Sequence, residues 1–268
     1  MGTNTKIKSV DHTQNFWRGC TKVSEGCKHC YAEAQEERYG RSFSTVVRTK
    51  TWRDPLKWQK EAASMGKVEI VFCCSISDFF HPHADQWRPE AWEIIRDTPN
   101  LTWRLTTKRP ALIAGRLPKD WGNGYENVWL GASVELKKYL GRLDALHKIP
   151  AAARYLAAEP LLEDLMPELA DHIQGIDWVQ AGGESGSQFR PMDAQWARDI
   201  RDLCTQRGIA FWFIGHAGKH QKNTLLDGKE HQEYPALLQT YRTKMSKSPL
   251  TVCGAGDPIP STTQEACA

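Results

Sequence analysis

A chain of 268 residues, 40% of them apolar, can bury a full core without disulfide or metal staples, which excludes the small stapled scaffolds and the disordered class. Its 35 basic and 32 acidic side chains leave a formal charge of +3, too little to mark a polyanion-binding surface by electrostatics alone. No run of about eighteen apolar residues is present and the stretch up to Gln14 lacks the apolar centre of a secretory signal, so the expectation is a cytoplasmic protein with no membrane partner.

From the N-terminus, a first candidate strand covers Gln14–Arg18 and leads into a loop holding Cys20, Cys27 and Cys30. A helix is predicted from Tyr31 to Tyr39, stopped by Gly40, and a second candidate strand covers Thr45–Thr49. Short apolar runs then recur at Val68–Cys73, Leu101–Leu105, Asn127–Ala132, Arg154–Ala158, Ile176–Ala181 and Ile209–Ile214, each bounded by polar or glycine-rich turns, as buried strands are. Helical patterns separate most of them: Arg88–Asp97 with Pro89 in its first turn, Val134–Leu146, and Asp193–Arg207. The last opens on a capping aspartate, carries Trp196, Ile200, Leu203 and Cys204 on one face, and ends at Gly208. About eight strand-plus-helix units predict an α/β fold, a complete or partial β/α (TIM-like) barrel, with catalytic groups at the C-terminal ends of its strands. A doubly wound open sheet is the alternative. Residues 1–245 read as one barrel domain, and residues 246–268, rich in Ser, Thr, Pro and Gly, as a flexible tail.

Eight cysteines in a chain without a signal sequence point to reduced thiols, hence to metal binding or catalysis. Cys20, Cys27 and Cys30 form a C-x6-C-x2-C loop between the first strand and the first helix. The close pair can reach one metal centre from a single turn, and Gly26 allows the longer arm to bend back. Three thiolates leave one iron of a cubane cluster without a protein ligand, where a small molecule can chelate. Zinc is the competing metal; it needs a fourth donor, for which His12, His29, Cys73 and Cys74 are candidates.

The stretches Trp17–Ser24 and Cys27–Glu33 resemble the phage-associated three-cysteine-motif proteins, a group similar to radical S-adenosylmethionine enzymes. Further pieces in the same order carry the resemblance: Ser75–His81, Leu105–Pro110, Asn127–Gly131 with Ser133–Glu135, Ala158–Leu162, Gly182–Gly186 with Arg190–Met192, and Leu226–Gly228. The resemblance implies a radical-SAM type barrel that binds a 4Fe-4S cluster through Cys20, Cys27 and Cys30, and S-adenosylmethionine beside it. It implies reductive cleavage of that cofactor to a 5′-deoxyadenosyl radical, fed by an external electron donor of the flavodoxin or ferredoxin type. The phage association favours a nucleic acid or nucleotide as substrate. Two features depart from the radical pattern: the first cysteine gap is six residues rather than three, and Gly182-Gly183-Glu184 lies far downstream of the usual place of a Gly-Gly-Glu segment.

Nearly every predicted strand delivers polar residues at its C-terminal end, among them Ser75, Ser77, Asp78, Lys108, Arg109, Ser133, Glu135, Glu159, Gly183 and Glu184, which a barrel gathers on one face. Glu159 and Glu184 are singled out as catalytic, because each follows an apolar run where an unpaired charge is costly. Glu184 is also a candidate partner for the cofactor's ammonium, Lys108 or Arg109 for a carboxylate or phosphate, and Gly182, Gly183 and Ser133 complete the expected cofactor wall. Two other readings follow from the same residues: a non-catalytic zinc or iron–sulfur protein of phage nucleic-acid processing, and a metal-free hydrolase using Glu159 and Glu184 as acid and base. Of eleven tryptophans, Trp58, Trp92, Trp129, Trp178, Trp196 and Trp212 sit at core-like positions, while Trp17, Trp87 and Trp121 are candidates for stacking on bases.

Overall fold

A computed structural model describes residues 5, 7–219 and 223–247; the predicted tail beyond Lys247 lies outside the described residues. The strands are β1 (His12–Gln14), β2 (Trp17–Arg18), β3 (Val47–Arg48), β4 (Glu69–Cys73), β5 (Leu101–Thr107), β6 (Val128–Ser133), β7 (Ala153–Ala158), β8 (Trp178–Gly182) and β9 (Ala210–Gly215). The α-helices are α1 (Tyr31–Arg38), α2 (Asp54–Ser64), α3 (Arg88–Arg96), α4 (Gly141–His147), α5 (Leu169–His172), α6 (Ala194–Arg207) and α7 (Ala236–Lys247). No helix among the described residues is long and apolar enough to cross a membrane.

Seven strands form one parallel sheet in the order β1-β4-β5-β6-β7-β8-β9, curled into a partial β/α barrel. Side chains alternate across it. Leu101, Trp103 and Leu105 of β5, with Leu130 of β6, Leu156 of β7 and Val179 of β8, pack outward into the larger core under the helices. A second cluster, built on Ile70, Trp129, Tyr155, Trp178 and Trp212, fills the concave side. Gly131 makes room there: a Cβ on it would stand 2.2 Å from the Tyr155 ring. The foot of the barrel is covered by α7, which buries Leu238 in the concave cluster and donates from the Tyr241 hydroxyl to the Pro99 carbonyl (2.6 Å).

Six of the eight predicted strands lie in the sheet close to their expected bounds, but the two at the N-terminus behave otherwise. The run Gln14–Arg18 is split. His12–Gln14 pairs with β4, after which the Asn15 side chain bonds Ile76 N (3.0 Å) and Ser75 Oγ (2.9 Å), turning the chain out of the barrel. Trp17–Arg18 then pair antiparallel with Val47–Arg48 in a separate ribbon, so the Thr45–Thr49 segment is not a barrel strand. The predicted helix Val134–Leu146 begins only at Gly141, because Val134 N still bonds Ala157 O (3.0 Å) and Leu162 N bonds Glu135 O (3.1 Å), which keep that backbone tied to the next strand and the loop after it. In α6, Asp193 accepts from Gln195 N (2.8 Å) and Gly208 closes the helix at φ +67°, as the sequence predicts.

Candidate active site at the barrel mouth

The cysteine loop crosses the C-terminal ends of the strands and is fixed at several points. Gly19 turns with φ +91°, a conformation open to glycine, and a Cβ there would meet the Thr45 carbonyl oxygen at 2.3 Å. Its N–H bonds Ile76 O (3.1 Å), and Cys20 N bonds Phe43 O (2.7 Å). Arg109 donates to Thr21 O (2.8 Å) and Oγ1 (2.7 Å), and its Nη2 lies 3.9 Å from the Cys20 sulfur. Cys30 caps α1, so its sulfur lies near the N–H groups of Ala32 and Glu33. Burial pushes the Cys30 thiol up, partly offset by those N–H groups; burial and the Asp78 charge push Cys20 up to about 11 against the pull of Arg109.

Two carboxylates clamp the middle of the loop. Glu135, fully buried, accepts from Ser24 Oγ (2.7 Å) and Arg142 Nη1 (2.7 Å), with Lys108 Nζ at 3.2 Å. Ser24 Oγ is in turn 3.7 Å from the Cys27 sulfur. Glu184 accepts from the Arg190 backbone N–H (2.8 Å) and Nε (2.9 Å), meets Nη2 of the same guanidinium, and lies 3.1 Å from His29 Nδ1. Arg190 also donates to the Glu25 carbonyl (3.0 Å), so one guanidinium ties the end of β8 to the loop. Burial alone would raise the Glu184 pKa, but the bonds from Arg190 and His29 prevail and hold it below the ordinary carboxylate value.

Gly26 shows how close this packing is: a Cβ would stand 2.3 Å from Glu135 Oε1. Because three partners hold that carboxylate, Gly26→Ala is expected to displace the loop and lower stability by about 1–3 kcal/mol. Thermal unfolding and iron content, measured on the same preparation, check both effects.

Beneath the loop lies a cavity of about 1410 Å³. Its wall carries Cys20, Cys27, Cys30, Lys108, Ser133, Glu159, Gly183 and Glu184, but not Gly182, Arg109 or Glu135. Gly182 faces the neighbouring strand, where a Cβ would lie 2.9 Å from Ile214 Cβ, and its carbonyl accepts from Leu161 N (2.8 Å). Gly183 approaches the backbone of Ala217, whose N would stand 2.2 Å from a Cβ, so its small size serves contact within the chain. The stacking candidates Trp17 and Trp121 are not on the surface. Trp17 is fully buried and donates to Asp78 O (3.0 Å), while Trp121 is buried and donates to Pro150 O (2.8 Å). Arg104, Gln180 and Arg190 were not singled out from the sequence; only the Arg190 stretch carried a signal.

Among the described residues, no three His, Cys, Asp or Glu side chains converge within reach of a single metal ion. Cys20, Cys27 and Cys30 are free, half-buried thiols that line one cavity wall. The fourth-ligand candidates are engaged elsewhere: His12 bonds Glu69 (2.8 Å) and stacks on Trp58, His29 meets Glu184, and the sulfurs of Cys73 and Cys74 lie 3.2 Å apart.

The family described as "Protein of unknown function (DUF5131)" matches residues 4–235. The chain belongs to this family. A point mutant of spore photoproduct lyase has a similar structure, with a TM-score of 0.52 and 12% identity over 80% of this chain and 81% of that one. At this identity the likeness is one of fold, and it supports the partial β/α barrel. No curated protein matches the sequence.

Proposed function

We propose that this protein is a radical S-adenosylmethionine enzyme whose Cys20, Cys27 and Cys30 hold a 4Fe-4S cluster at the barrel mouth. The observation that carries the reading is the position of the three-cysteine loop, which spans the strand ends of a partial β/α barrel directly over a large cavity. The reduced cluster, fed by a flavodoxin- or ferredoxin-type donor, would supply one electron for splitting S-adenosylmethionine into methionine and a 5′-deoxyadenosyl radical that takes hydrogen from the substrate.

The protein's own groups then have distinct tasks. Glu135 and Glu184 act as positioning residues, each holding one segment of the cysteine loop through charged hydrogen bonds. Lys108 spends one N–H direction on Glu135 and directs positive charge into the cavity, where a carboxylate of the cofactor would sit. Ser133 and Gly183 contribute polar wall, and Glu159, beside Pro160 at the end of β7, is the carboxylate placed to face a bound ammonium or a substrate proton. A nucleic acid or nucleotide is the substrate class proposed, and the protein is proposed to act in the cytoplasm.

Purification without oxygen, analysis of iron and sulfide, and assay for 5′-deoxyadenosine after chemical reduction test this reading. The expected result is a brown protein that forms 5′-deoxyadenosine only when reduced. A reduced, cluster-loaded protein that leaves S-adenosylmethionine intact would overturn it, and a colourless protein holding zinc would leave the non-catalytic metal-binding alternative.

A further inference from the structure

The cavity does not end beneath the cysteine loop. It descends into the barrel to a layer formed by Arg104 of β5 and Gln180 of β8, with the Tyr155 ring of β7 packed against the guanidinium. Arg104 is 4% exposed and Gln180 3% exposed. The guanidinium donates from Nη1 to Ser9 Oγ (3.0 Å) and Ser9 O (3.4 Å), and from Nη2 to Gln180 Oε1. It also lies over the rings of Trp178, Tyr155 and Phe72, at 4.5, 5.3 and 5.5 Å from their centroids. All of these partners are neutral. Among the described residues, no carboxylate stands within ion-pair distance of Arg104; Glu159, higher in the same cavity, acts on its charge from farther away.

Two buried donors in this layer, Arg104 Nε and Gln180 Nε2, have no acceptor among the described residues. A buried cation without a counter-ion, accompanied by two unused N–H groups, is costly to keep in an apolar setting. The same arrangement is what an oxyanion needs: a charge of opposite sign, several donors, and aromatic walls that exclude water. Thr106 Oγ1 and the Tyr155 hydroxyl, hydrogen-bonded to each other above the layer, add further polar contacts.

We propose that this layer is a substrate anchor: a carboxylate or phosphate monoester of the substrate docks against Arg104 and Gln180, leaving the rest of the substrate directed up toward the cysteine loop. The assignment of the anchored molecule as substrate rests on the function proposed above; the anion site itself does not.

The test uses the full chain and the variant Gln180→Glu, which gives Arg104 a counter-ion from within the protein. Inorganic phosphate, acetate, adenosine 5′-monophosphate and adenosine serve as calorimetric probes. Wild-type protein is expected to bind at least one charged probe about tenfold or more tightly than adenosine, and the phosphate and acetate arms tell which oxyanion it takes. Gln180→Glu is expected to lose that preference while its melting temperature holds or rises, which separates a filled site from an unfolded one. Absence of any charge preference in the wild type, or an unchanged preference in the variant, would overturn the proposal. S-adenosylmethionine binding is measured on both proteins. Its loss in the variant in parallel with the anions would put the cofactor's carboxylate on Arg104 and overturn the substrate anchor. Failure of S-adenosylmethionine to bind either protein, with the anion preference intact, would remove the proposed function and leave the anion site standing.

Discussion

Replacing Cys20, Cys27 or Cys30 singly by alanine is expected to abolish the iron–sulfur content of protein purified without oxygen and to lower 5′-deoxyadenosine formation by more than about a hundredfold. Removal of a residue that merely orients a metal ligand already costs about 10- to 100-fold, and these substitutions remove the ligand itself. Stability should change little, by about 1 kcal/mol or less, because all three thiols are only half-buried and lie outside the packed core. The matched control is Cys204→Ala. Cys204 is fully buried in the larger core, so its truncation should lower the melting temperature while leaving iron content unchanged. Full iron loading of Cys27→Ala would show that the ligand set is wrong.

Arg190→Leu is expected to cost about 3 kcal/mol, the low end of the range for breaking a buried ion pair, since Glu184 is 4% exposed and Arg190 28%. The loss comes from leaving the Glu184 carboxylate without its main partner, and the loop loses its tie through the Glu25 carbonyl as well. The pH dependence has a definite sign. In the wild type Glu184 titrates below its ordinary value, so its contribution is present at neutral pH and disappears as pH falls through the folded-state pKa. Without Arg190, burial dominates and the pKa rises, so the folded state gains when the carboxylate is protonated. The stability gap between variant and wild type should therefore narrow on acidification. Chemical denaturation at a series of pH values measures it, and a gap that stays constant would mean that Glu184 is not held by this pair.

The strands of the barrel were legible because each is a short apolar run with turn residues at both ends, and burial on both faces demands that pattern. The N-terminal ribbon was misread for the same reason: Trp17 and Val47 are apolar, and period alone does not tell whether a short run pairs in the main sheet or outside it. Helix α2 was missed although Asp54-Pro55 is a start signal and Trp58 and Ala62 share its buried face. At the site, the three cysteines stood out by spacing. The convergence of polar strand ends was also foreseen, but not their use. Arg109, Glu135 and Glu184 appear as separate polar residues in the sequence, and in the structure they hold the cysteine loop in place, while Asp78 accepts from Thr107 and Lys108 at the end of β5. Arg104 and Gln180 gave no signal, because a single charge within Leu101–Thr107 reads as an ordinary alternation until the sheet curls and places it at the centre.

Helix α7 stops the barrel at its foot, but the curl of the sheet leaves β1 and β9 as its two edges. The cavity wall runs from the cysteine loop round to Ile7, Lys8 and Thr224 beside those edges, so the approach to the Arg104 layer is a slot along the side of the barrel joined to its mouth.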